Sequence, residues 1–188
     1  MKILLVVLGI LLLVGIMFGG KYVSVRNELA TQNEAIAGAW SQVDVALQRR
    51  ADLIPNLVAT VKGFATHEQQ VIDSVTAARA ALGGARTPQE KIAANSQLDS
   101  AISRLLVISE NYPNLKSNEN FLRLQDELAG TENRIAVERR KYNEVVQRYN
   151  TQIALFPNNL IASMAGYQRN DAYFKTDPGS RVAPKVAF

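Results

Sequence analysis

The chain has 188 residues, 47% of them hydrophobic and 20% charged, with 21 Lys and Arg against 17 Asp and Glu and a net charge of +4. Those proportions fit one folded domain of ordinary size and exclude a disordered chain. The basic excess is small and spread along the sequence, which argues against nucleic acid as a partner and for solvated, salt-bridged helix surfaces. Without a single cysteine, disulfides and lipid attachment through a thiol are excluded, and the redox compartment stays open.

Residues 3–20 carry no charged or polar side chain and lie between Lys2 and Lys21. As a helix this run is ~27 Å long, close to the roughly 30 Å hydrocarbon layer of a bilayer. The rival is a cleaved signal peptide, whose apolar part is usually shorter and ends at an Ala-x-Ala-like site. Here Met17-Phe-Gly-Gly-Lys21-Tyr leads straight into more helix. The expectation is an uncleaved transmembrane anchor at 3–20, with the lipid bilayer as partner. Lys2 and the α-amino group on one side nearly balance Lys21 and Arg26 on the other, so charge leaves the orientation open.

From Tyr22 onward, steps of three and four pass through Leu29, Ile36, Trp40, Val43, Leu47, Arg50, Ile54, Leu57, Val61, Phe64, Val71, Val75, Ala78 and Leu82 without losing phase. A heptad sustained that far is the signal of a coiled coil or a long-helix bundle. Pro55 removes one backbone donor and predicts a kink. Gly63, then Thr66 with Gln69 three residues on, offers a helix end and a new N-cap. Heptad continuity favours one kinked helix over 22–82; the capping pattern is the alternative.

Gly83-Gly84 is a firm break. Thr87-Pro-Gln-Glu90 opens the next helix with a capping box and a first-turn proline. Its stripe runs Ala94, Leu98, Ala101, Leu105, Ile108, Tyr112, and Tyr112-Pro113 closes it. A third long helix starts near Ser117 with Phe121, Leu124, Leu128, Thr131, Ile135, Glu138, Tyr142, Val145, Tyr149, Gln152 and Phe156 on one stripe, and Pro157 ends it. A short helix over 160–165 follows, closed by Gly166. Val182, Val186 and Phe188 alternate beside Pro184 and suit an extended tail. The chain reads as all-α: a transmembrane helix at 3–20 running into an antiparallel bundle of three or four long helices over 21–168, then an extended tail at 169–188.

Catalytic constellations are scarce. His67-Glu68 resembles the start of a zinc-binding helix motif, but Val71 stands where the second histidine is needed. One histidine and no cysteine leave no ordinary zinc set, so no metal or cofactor is expected. Gly83-Gly84 lacks the length and the lysine of a phosphate-cradling loop. No serine has a recognisable histidine and carboxylate partner. Three residues stay conspicuous: Arg50 and Glu138, charges on apolar stripes, and Trp40, the only tryptophan, on the seam.

The run Trp40-Ser-Gln-Val-Asp44-Val-Ala-Leu-Gln-Arg49-Arg50-Ala-Asp52-Leu-Ile-Pro55-Asn56, continuing through Lys62-Gly63-Phe64-Ala65-Thr66-His67-Glu68, closely resembles the signature of the LemA family. Glu110-Asn-Tyr112-Pro113, Arg139-Arg140-Lys-Tyr142-Asn143, Tyr149-Asn150, Phe156-Pro157 and the Pro184-x-Val186-x-Phe188 ending agree with it. The resemblance implies a membrane anchor, a helical-bundle body and no established activity; a relative works in organising magnetosome membranes. It supplies no catalytic or binding residues. It places the chain in the inner (plasma) membrane of a bacterial cell, single-pass, with the N-terminus outside and the body cytoplasmic.

The function expected is a non-catalytic, membrane-anchored scaffold that self-associates through its long amphipathic helices. The alternative is a tethered binding or sensing module that recruits a protein partner through its bundle or tail, with Val182, Val186 and Phe188 adding as a strand or filling pockets. The homo-oligomer follows from length. A continuous first helix of ~90 Å outruns the later helices and leaves Leu29, Ile36, Trp40, Val43 and Leu47 facing water, a stripe for neighbouring chains to cover. Arg50, at its edge, then takes a carboxylate from the next chain.

Overall fold

The computed structural model describes residues 2–65 and 67–175. Among these it has six helices and no strand: α1 (Lys2–Lys62), α2 (Gln69–Gly84), α3 (Pro88–Ser109), α4 (Pro113–Lys116), α5 (Glu119–Ala154) and α6 (Asn158–Met164). The all-α class is the one the periodicity predicts. The chain divides into two compact units, Trp40–Lys141 with Ala172–Phe188, and Met1–Ala39 with Tyr142–Asp171. Val182, Val186 and Phe188 lie outside the described residues.

The continuous helix expected over 22–82 does not form. α1 stops at Lys62 and α2 begins at Gln69. Gly63 is a poor helix former, and the amides of Phe64 and Ala65 both turn back onto the Val61 carbonyl, at 3.0 and 2.8 Å. Ala65 is fully buried in the bend. Thr66, the candidate cap, is not among the described residues. Glu68 holds the cap position of α2, with no side-chain capping bond. Burial overrides the heptad here, because the reversal packs Ile72, Val75, Ala78 and Leu82 inside the chain's own core rather than leaving them on an unpartnered extension.

A polar device holds the hairpin. α1 runs on through Pro55, which has no amide hydrogen, so the Ala51 carbonyl four residues earlier loses its helical partner. Arg79 of α2 replaces it, Nε donating to the Ala51 oxygen at 3.0 Å. α3 opens with the predicted capping box: Thr87 Oγ1 accepts from the Glu90 amide and the Glu90 carboxylate accepts from Thr87 N, both at 3.2 Å. The Arg86 amide, at 2.7 Å, is the stronger partner of that carboxylate. With Thr87 it holds the Glu90 pKa below the ordinary value.

Lys91 pairs with Asp44, and Arg50 with Asp99, so α3 lies parallel to α1. α5 is antiparallel to it, with Arg49 opposite Glu127 at 3.5 Å and Gln42 opposite Glu138 along one groove. The larger unit is therefore an up-down-up-down four-helix bundle. Its core is built from Val43, Leu47, Ile54 and Leu57 of α1, Val75 of α2, Leu98 and Leu105 of α3, and Phe121 and Ile135 of α5. One end is tied by Tyr112 Oη donating to Glu68 Oε1 at 2.9 Å, a bond that raises the tyrosine's pKa. α5 starts at Glu119, slightly later than expected, with Asn118 Oδ1 accepting from the Phe121 amide at 3.1 Å.

The second unit buries Val25, Leu29 and Ile36 of α1, Tyr142, Val146 and Tyr149 of α5, and Ile161 and Ala162 of α6. Gln152 Nε2 donates to Glu28 Oε1 at 2.7 Å. Gly166, at φ 79°, takes the left-handed conformation that favours glycine and turns the chain back. The returning segment is stitched to α5. Tyr149 Oη donates to the Gln168 carbonyl at 2.8 Å, and Asn150 exchanges two bonds with the Asn170 backbone at 2.7 and 2.9 Å. Two positions on the expected α5 stripe differ. Val146 takes the core place assigned to Val145, and Phe156 is 79% exposed, because α5 ends at Ala154 before the stripe reaches it.

The Ala51 carbonyl yields the first prediction. Arg79→Ala removes its protein partner at a part-buried site and costs roughly 0.5–1.5 kcal/mol. Pro55→Ala restores an amide for it, so in the double variant the Arg79→Ala penalty falls by at least half. Urea denaturation of the four proteins in the cycle measures the coupling.

Candidate functional site

Arg50 is the most unusual residue of the bundle. It is a guanidinium 6% exposed in an otherwise apolar layer. Desolvation on that scale requires paired charges, and two neighbouring helices supply them. Nη1 lies 2.5 Å from Asp99 Oδ1 of α3 and also bonds Glu132 of α5. The carboxylates reach water, with 33% and 44% of their side chains exposed. Asn95, itself buried, donates to Asp99 Oδ2 at 3.0 Å. Burial pushes the Asp99 pKa up, Arg50 pulls it down, Glu132 raises it and Arg139 lowers it, for a net rise.

This cluster corrects the sequence reading of the seam. Arg50 finds both carboxylates in its own chain, not in a neighbour. Leu29, Ile36, Val43 and Leu47 are likewise buried in the single chain, at 0, 6, 0 and 1% exposed, and Trp40 is half-buried. The reversal at 63–68 is the cause. It shortens by about a third the length the later helices must cover, and the stripe on which the self-association expectation rested is filled from within. Glu138, the other charge on a stripe, snorkels toward Lys141 at 2.9 Å.

Trp40 marks a second local structure. The described part of the expected tail, 169–175, has no helix or strand, yet Ala172 and Phe174 are buried. The Phe174 ring stacks on Trp40 with centroids 6.0 Å apart and planes at 22°. The Arg139 guanidinium sits 4.7 Å from the Phe174 ring centre, a cation–π contact. Ala172 and Phe174 are thus part of the bundle wall.

Beside these lies a groove of about 500 Å³ between α1 and α5, lined by Val45, Ala46, Arg49, Gly130, Arg134 and Glu138 among others. Val45 is 63% exposed there. A Cβ placed on Gly130 would meet nothing within 4 Å, so packing gives no reason for a glycine in mid-helix, where it costs about 1 kcal/mol relative to alanine. Among the described residues no three His, Cys, Asp or Glu side chains converge as metal ligands do. His67 is exposed. Chemically, the bundle offers a buried ion cluster and a mixed groove, and neither aligns a nucleophile with a base.

A profile of the LemA family matches residues 39–188. The chain belongs to the LemA family. Among its relatives, the protein named LemA from Metamycoplasma hominis is 27% identical over 162 residues, covering 86% of this chain and 74% of that one. Magnetosome protein MamQ 2 of Paramagnetospirillum magneticum is 25% identical over 178 residues, covering 81% and 65%. Magnetosome protein MamQ of Magnetospirillum gryphiswaldense is 25% identical over 188 residues, covering 85% and 69%. This LemA-family chain thus spans about two thirds of the length of the magnetosome relatives. The family match starts at Ala39, the last residue before the bundle unit and far beyond the apolar run.

The ion cluster of this LemA bundle makes a second prediction. Arg50→Ala destabilises the fold by roughly 1–3 kcal/mol at pH 7, below the ~3–5 kcal/mol of a fully buried pair because Asp99 and Glu132 retain solvent. A carboxyl with a raised folded pKa binds its proton more tightly folded than unfolded. Its stabilising contribution is present at acid pH and lost as the pH rises through that pKa. Removing Arg50 raises Asp99 further, so the penalty shrinks as the pH falls from 7 into the carboxylate range. Denaturant midpoints of wild type and variant at both pH values read this directly; a constant difference would show that Asp99 does not sense Arg50.

Proposed function

We propose that this protein is a single-pass, membrane-anchored, non-catalytic structural protein of the bacterial plasma membrane, a scaffold whose helical body self-associates at the bilayer. The observation that supports it is α1 itself. It is the one helix among the described residues long and apolar enough to cross a membrane, none of its apolar window is buried, and the same helix continues into the core of the body. Anchor and body share one helix. The likeness to LemA and magnetosome proteins, none of them named for a reaction, favours a non-catalytic role. With the seam filled from within, a second copy has only the outer faces of the bundle to use, and tethering in one membrane raises its local concentration.

Alkaline carbonate extraction is the direct test of the anchor. The full chain is expected to stay in the membrane pellet, and its intact mass to include Lys2 and Ile3; a mature N-terminus near Lys21 rejects this reading. A C-terminal tag protected from protease in spheroplasts fits the orientation that the family resemblance implies, with the N-terminus outside.

The groove at Val45 and Gly130 favours a second reading, a tethered module that receives another protein on its α1/α5 face. Gly130→Leu fills the groove while replacing a poor helix former, so stability is expected to stay level or rise by up to about 1 kcal/mol. The mass of the detergent-solubilised full chain separates the readings. A symmetric oligomer that survives Gly130→Leu supports the scaffold through another face. A monomer whose co-purifying protein is lost in Gly130→Leu supports the binding module.

A further inference from the structure

The end of the second unit nearest the anchor carries an apolar surface that its own core does not use. α1 and α5 enter this unit at Ala39 and Tyr142, and Glu28 meets Gln152 about three helical turns further along each. α5 therefore runs antiparallel to α1, toward the apolar run that ends at Gly20. Past Gln152 the chain makes its turn through Leu155, Phe156 and α6, then returns beside Tyr149 and Asn150 through Gln168 and Asn170. Residues 155–166 are thus the tip of the unit, and they face the anchor.

That tip has two apolar faces. Ile161 and Ala162 close onto the core, while Leu155, Phe156, Leu160 and Met164 point outward, at 53, 79, 54 and 68% exposed. In a chain with 20% charged residues, 149–168 contains none, the longest such stretch outside 3–20, and Arg148 and Arg169 bound it. Its level on α1 is near Val25, about 8 Å along the axis from Gly20. The interfacial layer on each face of a bilayer is about 5–8 Å thick. We propose that this tip is a second membrane contact: Phe156, Leu160 and Met164 insert at the headgroup boundary of the same bilayer that holds 3–20.

The bilayer is the occupant for three reasons. The patch stands at the end of the unit toward the apolar run, it lies at interfacial depth, and it lacks the charges that interfacial insertion penalises. Lys21 and Arg26 follow the apolar run on α1, cations suited to anionic headgroups. The contact also braces the unit, because a helix held by its transmembrane segment alone can tilt freely, whereas a tip seated in the interface opposes that tilt.

The inference rests on the anchored reading, and one experiment separates the two. The chain has no cysteine, so single cysteines at Leu11, Val107, Phe156, Leu160 and Met164 can each carry an environment-sensitive fluorophore in the full-length protein. The protein is reconstituted in phosphatidylcholine–phosphatidylglycerol vesicles, and each variant is checked for native helicity. Quenching is measured with lipids bearing a nitroxide high or deep on the acyl chain, and with aqueous iodide. The expected result is that probes at 156, 160 and 164 are quenched several-fold more by the shallow nitroxide than the probe at Val107, an exposed site on α3, and are shielded from iodide, while the probe at 11 responds to the deep nitroxide. If 11 responds and the tip probes are as open to iodide as 107, the anchor stands and the second contact is refuted. Shielding from iodide without lipid quenching assigns the patch to a protein and also refutes it. If 11 fails to respond, the anchored reading falls, and this one with it.

Discussion

Everything in this structure follows from the need to cover one stripe. α1 leaves its apolar run with Val25, Leu29, Ile36, Val43, Leu47, Ile54, Leu57 and Val61 along a single face, and an apolar stripe that long does not remain in water. The chain covers it in two ways. Beyond Trp40 it builds a four-helix bundle around the stripe, using the reversal at 63–68 to bring α2 back and α3 and α5 alongside. Before Ala39 it uses the end of α5, α6 and a stitched return segment. Each unit has its own core, and α1 and α5 contribute to both.

The polar groups inside this arrangement specify which helix goes where. Pro55 leaves one carbonyl open, and only α2, folded back, brings Arg79 to it. Arg50 needs carboxylates, and α3 and α5 deliver one each at the same level. An apolar core tolerates sliding of one helix past another, but unpaired groups of this kind do not. Register is thus set by a few directional contacts within a layer whose stability comes from burial.

In the single chain Leu29, Ile36, Val43, Leu47 and Arg50 are covered from within, and Trp40 is half-buried. The seam and its arginine are structural. What remains outward is a groove beside Gly130, a basic and acidic helix surface, and an apolar tip toward the apolar run of α1. These are the surfaces on which the proposed role of this LemA-family chain depends.

The sequence by itself determined what local chemistry and periodicity can carry. The apolar run at 3–20, the all-α class, the Thr87–Glu90 cap, the breaks at Gly83-Gly84 and Pro113, and most buried positions of α3 and α5 were legible in it, though not Asn95, Ile102 and Ser109 of α3 or Val146 and Asn150 of α5. Family membership was legible too, in the motifs from Trp40 to Glu68. Periodicity has no term for direction, however, and a heptad stays in phase whether the chain continues or folds back. The choice at 63–68 therefore belonged to the tertiary structure, where burial of Val75 and Leu82 and the Arg79–Ala51 bond favour the hairpin. The partners of Arg50 came with that choice, while the cover over Leu29 and Ile36 came from the end of α5 and α6, and the exposure of Phe156 from the end of α5 at Ala154.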